Sequence, residues 1–332
     1  MDAFLDQPAA LQARILTEAA ARLNLPPRIV EKDFWVCWTL RELFALSEWA
    51  AHLTFKGGTS LSKGWGLIDR FSEDIDVVID RAFLGFAGER FSNNQLGKLK
   101  RVCAARIAGD LLPALSRRVA DRLGEAGWEL TVAEAMQDPD LQTLLFRYPT
   151  LFAEQTGYVT PVVRIELGAR SDTDPAERPD IQPLLGQVLP NVLTAATFSV
   201  RAVAPRRTFW EKAMLVHEET WRPPGRPRKA RMSRHYYDLW CLITRAVAAA
   251  ALRDEGLFER VATHRRHFFR YTWLDYGTLA KGRLRMLPLP EQEAEWRQDY
   301  AAMRGEMFLR EPPPFDEILR VVGEFERTFN AA

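Results

Sequence analysis

Two short motifs constrain this chain more than anything else in it. The first is a glycine turn, Phe55-Lys56-Gly57-Gly58-Thr59-Ser60-Leu61-Ser62-Lys63. The second, Arg70-Phe71-Ser72-Glu73-Asp74-Ile75-Asp76-Val77-Val78, places an alternating acid pair, Asp74 and Asp76, beginning sixteen residues beyond Gly58. A glycine pair followed by hydroxyl residues lets backbone approach a phosphate closely and opens a helix whose N-terminal N–H groups hold it. Aspartates at i and i+2 flanked by Ile75, Val77 and Val78 lie on one face of a short strand. Two carboxylates on one face make a hard-oxygen site for Mg²⁺ carrying a nucleoside triphosphate. Asp is depleted in strands, so a pair of them beside Val and Ile needs a compensating cation. Together the motifs describe a nucleotidyltransferase site.

The surrounding pattern supports the same unit. Residues 53–56 form a strand running into the turn, a helix follows from 59 to about 67, and residues 74–79 return as a strand. A P-loop is excluded because Lys63 precedes Gly64, the wrong order for that motif. A haloacid-type phosphatase fits poorly, since Val77-Val78 supply no hydroxyl after the second aspartate. Upstream, residues 8–23 and 27 to about 46 have helical spacing, the second with Pro27 in its first turn and carrying Val30, Phe34, Trp35, Trp38 and Leu40. Residues 94–123 are basic and amphipathic, predicting two helices around Pro113. Strands are predicted at 128–132, 144–147, 159–167 and 196–203. After Pro205 the segments 206–219, 233–251, 254–269 and 316–329 are helical. The expected fold is α/β (α+β): a core over 1–204 with N-terminal helices and a mixed sheet, and a helical domain over 205–332.

A chain of 332 residues with 47% hydrophobic content can bury a real core. Its net charge of +1 advertises neither nucleic acid nor membrane, so any basic surface must be local. Cys37, Cys103 and Cys241 lie far apart without metal-ligand spacing. The start of the chain has no secretory pattern, and no apolar run approaches the ~20 residues of a membrane span. A soluble, cytoplasmic protein is expected.

A third carboxylate, Glu166, sits in Val162-Val163-Arg164-Ile165-Glu166-Leu167, where period-two alternation puts Arg164 and Glu166 on one strand face. They form either a surface ion pair or the remaining metal ligand or base with its tuning cation. Lys212, in Phe209-Trp210-Glu211-Lys212-Ala213-Met214, either snorkels or neutralises phosphate. His235 and Asp238 share a helix face, and no second histidine is spaced to make His235 a metal ligand. Residues 222–234 hold five arginines and one lysine without an acid, among them Arg226, Arg228, Lys229, Arg231 and Arg234. Arg260, Arg265, Arg266 and Arg270 follow, interleaved with Phe268, Phe269, Tyr271 and Trp273. Such a stretch is either a solvated basic face or an RNA surface that contacts phosphates and stacks on unpaired bases.

The stretch Ile29-Val30-Glu31-Lys32-Asp33-Phe34-Trp35-Val36, the glycine turn and the acid motif together resemble the AbiEii/AbiGii nucleotidyltransferase toxins. Lys212 and His235-Tyr236-Tyr237-Asp238 look like that family's third and fourth motifs, so the resemblance runs from about 29 to 243. The last ninety residues match no motif. The resemblance implies a polymerase-β-like core and a helical domain closing the cleft. It further implies a toxin of a bacterial toxin–antitoxin or phage-defence pair, with a cognate antitoxin, that uses NTPs to modify RNA, notably the tRNA 3′ end.

The expected site follows. Gly57, Gly58, Thr59, Ser60 and Lys63 hold the phosphates. Asp74, Asp76 and Glu166 coordinate two Mg²⁺ ions roughly 4 Å apart. Lys212 assists the leaving pyrophosphate, and Asp238 orients Lys212 or contacts the nucleotide. Transfer to a protein or small molecule, and a binding module without turnover, are the alternatives.

Overall fold

The computed structural model describes residues 1–88, 90–152, 160–193, 196–305 and 307–331. The chain divides into two compact units, Met1–Trp65 with Ser72–Ala202, and Gly66–Phe71 with Val203–Ala332.

The first unit opens with helices α1 (Asp2–Leu5), α2 (Ala9–Leu23) and α3 (Pro27–Phe44). Strand β1 (Leu53–Lys56), helix α4 (Gly57–Trp65) and strand β2 (Ile75–Ile79) follow, then α5 (Asn93–Arg106) and α6 (Leu112–Leu123). Strands β3 (Glu129–Val132), β4 (Thr143–Arg147), β5 (Val162–Gly168), β6 (Ala176–Glu177) and β7 (Asp180–Ile181) come next. Helix α7 (Leu184–Val188) and strands β8 (Phe198–Ser199) and β9 (Ala202–Val203) complete the series. The fold is mixed α/β, with a seven-stranded sheet in the order β3-β4-β5-β2-β1-β9-β6 and a separate β7-β8 ribbon. The β2/β5 and β1/β9 pairs are parallel, while β1/β2, β3/β4 and β4/β5 are antiparallel. One row runs across this sheet: Lys56 opposite Asp76, Asp76 opposite Glu166, and Glu166 opposite Thr143.

Helix α3 packs on the sheet through its aromatic residues. Trp35 stacks on Tyr148 with ring centroids 5.4 Å apart, and Trp38 on Phe146 at 5.9 Å. Side chains of this size each bury 150–250 Å² and dominate core energetics.

Several elements differ from the sequence reading. Helix α4 starts at Gly57 itself rather than at Thr59, and Asp74 lies just before β2. The 94–123 stretch breaks at a π-helical turn, Ile107–Leu111, and not at Pro113. Pro113 instead occupies the first turn of α6, where its missing N–H has no helical partner to lose. The strand expected over 196–203 is two short pieces, and Val159 of the strand expected over 159–167 lies outside the described residues.

The second unit contains α8 (Pro205–Thr220), α9 (Arg234–Thr244), α10 (Val247–Arg253), α11 (Leu257–Phe268), α12 (Pro290–Arg304) and α13 (Phe315–Ala331). The helix expected over 233–251 is divided at Ala246, whose φ is 61°. Trp210 sits at the centre of its core, with Phe258 and Phe329 each 5.0 Å away between ring centroids. The early segment Gly66–Phe71 belongs here because its backbone is bound to the 307–309 stretch. Phe71 N–H donates to the Met307 carbonyl at 2.6 Å, and Leu309 N–H donates to the Asp69 carbonyl at 3.1 Å.

Candidate active site

In the first unit, strand alternation buries Ile75 and Val77 and turns Asp76 to the other face, with Asp74 two residues before it. On the neighbouring parallel strand Val163, Ile165 and Leu167 are buried, and Arg164 and Glu166 alternate with them. Arg164 bridges the two strands: its Nε lies 4.0 Å from Asp74 Oδ1 and its Nη2 lies 3.5 Å from Glu166 Oε1. The Asp74 and Glu166 side chains remain 41% and 45% exposed, so both face solvent.

The glycine turn meets this face at Asp76. Gly57 has φ +80°, a backbone conformation that penalises a side chain. A Cβ added there would also stand 2.8 Å from Asp76 Cγ and nearer still to Oδ2. Glycine is therefore required twice over, and the N-terminus of α4 opens directly beside a carboxylate. Gly57 and Asp76, nineteen residues apart in sequence, are thus close neighbours in space.

The other residues assigned to phosphate lie elsewhere. Thr59 and Ser60 are buried. Thr59 Oγ1 donates to the Asp74 carbonyl at 2.5 Å and shares a 2.8 Å bond with Ser72 Oγ, while Ser60 Oγ donates to the Gly57 carbonyl at 2.9 Å. Thr59 fastens the turn to the acid segment and Ser60 closes the turn on itself, leaving the half-buried Gly57 and Gly58 backbone as the turn's outer surface. Lys63 is directed into the protein, where its ammonium pairs with the buried Asp33. Six residues along a helix carry it about 9 Å from the turn, out of reach of a phosphate seated there. Burial draws the Lys63 pKa down to about 7, and the Asp33 carboxylate against it favours the charged form.

In the second unit, Lys212 on α8 and Asp238 on α9 join Arg70, a residue to which the sequence reading gave no role. Arg70 clamps Asp238 bidentately, Nε to Oδ1 at 2.7 Å and Nη2 to Oδ2 at 2.9 Å, while Lys212 Nζ lies 2.8 Å from Oδ2. All three are buried. Burial by itself would raise the Asp238 pKa, but Arg70 and Lys212 hold it well below the usual carboxylate range. Lys212 is lowered by burial, and the Asp238 charge opposes that shift. Half-buried His235, its Nδ1 3.5 Å from Lys212 Nζ, is kept neutral by burial and then by the Lys212 and Arg234 charges. The Arg70–Asp238–Lys212 cluster sets two cations on one carboxylate. Its uncompensated positive charge is costly when buried and is relieved by an anion.

The basic loop is thinner in space than in sequence. Arg228 lies over the Trp296 ring at 4.7 Å and pairs with Glu219 at 3.3 Å and with Glu295. Arg222 also pairs with Glu219, at 2.6 Å. Asp299 accepts the Arg231 and Ser233 N–H groups at 2.5 and 2.7 Å. Acids from elsewhere in the chain thus offset the loop, with Arg226 and Lys229 exposed and Arg231 and Arg234 half-buried. Arg265 is likewise buried against Glu218. Phe268 is core, and Tyr271 and Trp273 stack on each other at 4.8 Å.

Among the described residues no three His, Cys, Asp or Glu side chains converge to hold a metal ion by themselves. Arg164 approaches both Glu166, at 3.5 Å, and Asp74, at 4.0 Å, and Asp74 and Asp76 form a carboxylate pair two residues apart. Mg²⁺ is commonly held by one or two carboxylates plus substrate phosphates, so the pair fits a cation that arrives with a triphosphate. No helix among the described residues is long and apolar enough to cross a membrane.

The family model described as nucleotidyl transferase AbiEii toxin, type IV toxin–antitoxin system, matches residues 38–321. The match begins beyond the 29–36 stretch and extends through α12 into α13, which no separate motif had reached. No curated protein matches the chain.

Proposed function

The chain belongs to the AbiEii nucleotidyltransferase toxin family of type IV toxin–antitoxin systems, and we propose that it transfers a nucleotide from an NTP to RNA, at the 3′ end of tRNA. The observation that carries this reading is the meeting of the α4 N-terminus, through Gly57, with the Asp76 carboxylate. A backbone that favours phosphate lies against a carboxylate suited to the cation that accompanies it.

Asp74 and Asp76 would hold the Mg²⁺, with Glu166 as a further ligand or as the base. Bound there, the cation would neutralise charge developing on the triphosphate. The Gly57 and Gly58 backbone faces the phosphates, and Arg164 restrains Glu166, which in the base role takes the proton of the incoming 3′-hydroxyl. The hydroxyl oxygen bonds to the α-phosphorus as the bond to pyrophosphate breaks. In the second unit, the excess positive charge beside Lys212 suits an anion such as a phosphate. Asp238 orients Lys212, and Arg226, Lys229, Arg231 and Arg234 supply RNA contacts. The family implies an antitoxin partner.

A second reading, transfer to a protein or small molecule, draws on the offset of Arg222 and Arg228 by acids. One assay decides between them. The protein is incubated with Mg²⁺, total tRNA and each α-labelled NTP in turn, beside an Asp74→Ala control. Label on tRNA that the control lacks supports the proposal. Label on protein favours the second reading, and no transfer to any acceptor refutes both.

A further inference from the structure

Helix α3 buries three consecutive charges, Glu31, Lys32 and Asp33, each at 2% exposure or less. Successive helical residues point about 100° apart, so the three reach three different walls. Glu31 accepts from Leu151 N–H at 2.6 Å and Thr150 Oγ1 at 2.7 Å, on the segment after β4. Asp33 accepts from Leu184 N–H at 2.6 Å and pairs with Lys63. Lys32 forms an ion pair with Glu73 Oε2 at 3.0 Å and donates to the Thr160 carbonyl at 2.8 Å and the Val162 carbonyl at 2.5 Å.

The partners of Lys32 have one thing in common. Glu73 immediately precedes Asp74, two residues ahead of β2, and Val162 is the first residue of β5, two ahead of Arg164. Because β2 and β5 run parallel, one ammonium grips the same end of both. We propose that Lys32 is a positioning residue that fixes the register of these strands and so aligns Asp74 and Asp76 with Glu166.

The need for such a clamp follows from the sequence of the strands. A slip of one residue would turn the carboxylates to the opposite face and expose Ile75 and Val77, so burial forbids it. A slip of two keeps Ile75, Val77 and Ile79 on the core face, at the same period as Val163, Ile165 and Leu167 of β5, and of the apolar residues of β2 shifts only Val78 within the Asp76 face. It would nevertheless shift Asp76 about 6–7 Å along the strand from its place opposite Glu166. The core-face pattern does not separate these two registers, whereas a fixed ammonium bound to both strand ends does.

The proposal rests on the carboxylates being the metal–nucleotide face, and the test keeps the two apart. Mn²⁺ binding is followed by electron paramagnetic resonance with an equimolar mixture of the four α,β-methylene nucleoside triphosphates. Backbone amide exchange is followed over 75–79 and 162–168. Lys32→Met should weaken Mn²⁺ binding at least tenfold and speed exchange in both strands. Glu73→Met, at a less buried position, should act in the same direction and serves if Lys32→Met fails to fold. The double variant should be little worse than either single one, since both break one link. Glu31→Gln, an equally buried charge on the same helix, should leave both readouts near wild type. Wild-type Mn²⁺ affinity in Lys32→Met, or an equal loss in Glu31→Gln, overturns the proposal. If the wild type binds no Mn²⁺, the functional reading fails and amide exchange alone decides whether the clamp exists.

Discussion

Replacing Gly57 with alanine separates backbone strain from the loss of a carboxylate position. Two effects act there. Alanine at φ +80° costs about 1–2 kcal/mol of conformational strain, which lowers Tm by roughly 2–8 °C. The new methyl also meets Asp76 Cγ at 2.8 Å, and ordinary carbon contact lies near 3.5–4.0 Å, so the carboxylate must move by about 1 Å. That movement costs little stability, because a side-chain tip can swing, but a 1 Å misplacement can cost about 10²-fold in rate. The control is Gly85→Ala in the same unit, at φ +83° with nothing within 4 Å of the added methyl. Both variants should lose similar stability by thermal unfolding. Only Gly57→Ala should lose label transfer, by about two orders of magnitude. Equal transfer by the two variants would refute a functional pairing of Gly57 with Asp76.

Three further outcomes are expected. Asp238→Asn strands Arg70 and Lys212 without their buried carboxylate and should cost about 3–5 kcal/mol in denaturant unfolding; a loss below ~1 kcal/mol would mean the cluster is not what holds these charges. Burial, then the Arg285 charge, lowers the His217 pKa to about 4, beneath the ~6.5 of an unfolded chain, so the unfolded state binds the extra proton between those values and stability falls as pH drops from about 6.5 to 4. His217→Gln should flatten the Tm-against-pH curve in that window alone, and an unchanged slope would contradict it. Arg226→Ala with Lys229→Ala should lower the salt slope of tRNA binding by roughly 1.5 without changing Tm, whereas Arg228→Ala should lower Tm through its lost Trp296 and Glu219 contacts; an unchanged salt slope would remove the loop from the RNA surface.

The unit around Gly57 and Asp76 is legible in sequence because its two halves are demands on the backbone. A glycine pair marks a φ that other residues avoid, and Asp-Ile-Asp-Val-Val alternates at the period of a strand. Side-chain direction is a different matter. Thr59 and Lys63 are one helical turn apart and share a face, and once α4 packs on the sheet that face turns inward, to Ser72 and Asp33. The Arg228 partners Glu219 and Glu295 stand on either side of it in sequence, the latter sixty-seven residues away, so composition of the loop alone shows charges that the fold offsets. Arg70 is hidden for the same reason, its carboxylate lying 168 residues on. Yet the charges of α3 do leave a trace. Val30, Phe34, Trp35, Val36, Cys37 and Trp38 surround Glu31-Lys32-Asp33, so the helix is apolar on every side and offers the triplet no solvent face. Charges in such a helix must find partners inside the protein, and the segments they bind are fixed in place by the cost of leaving any one of them unpaired.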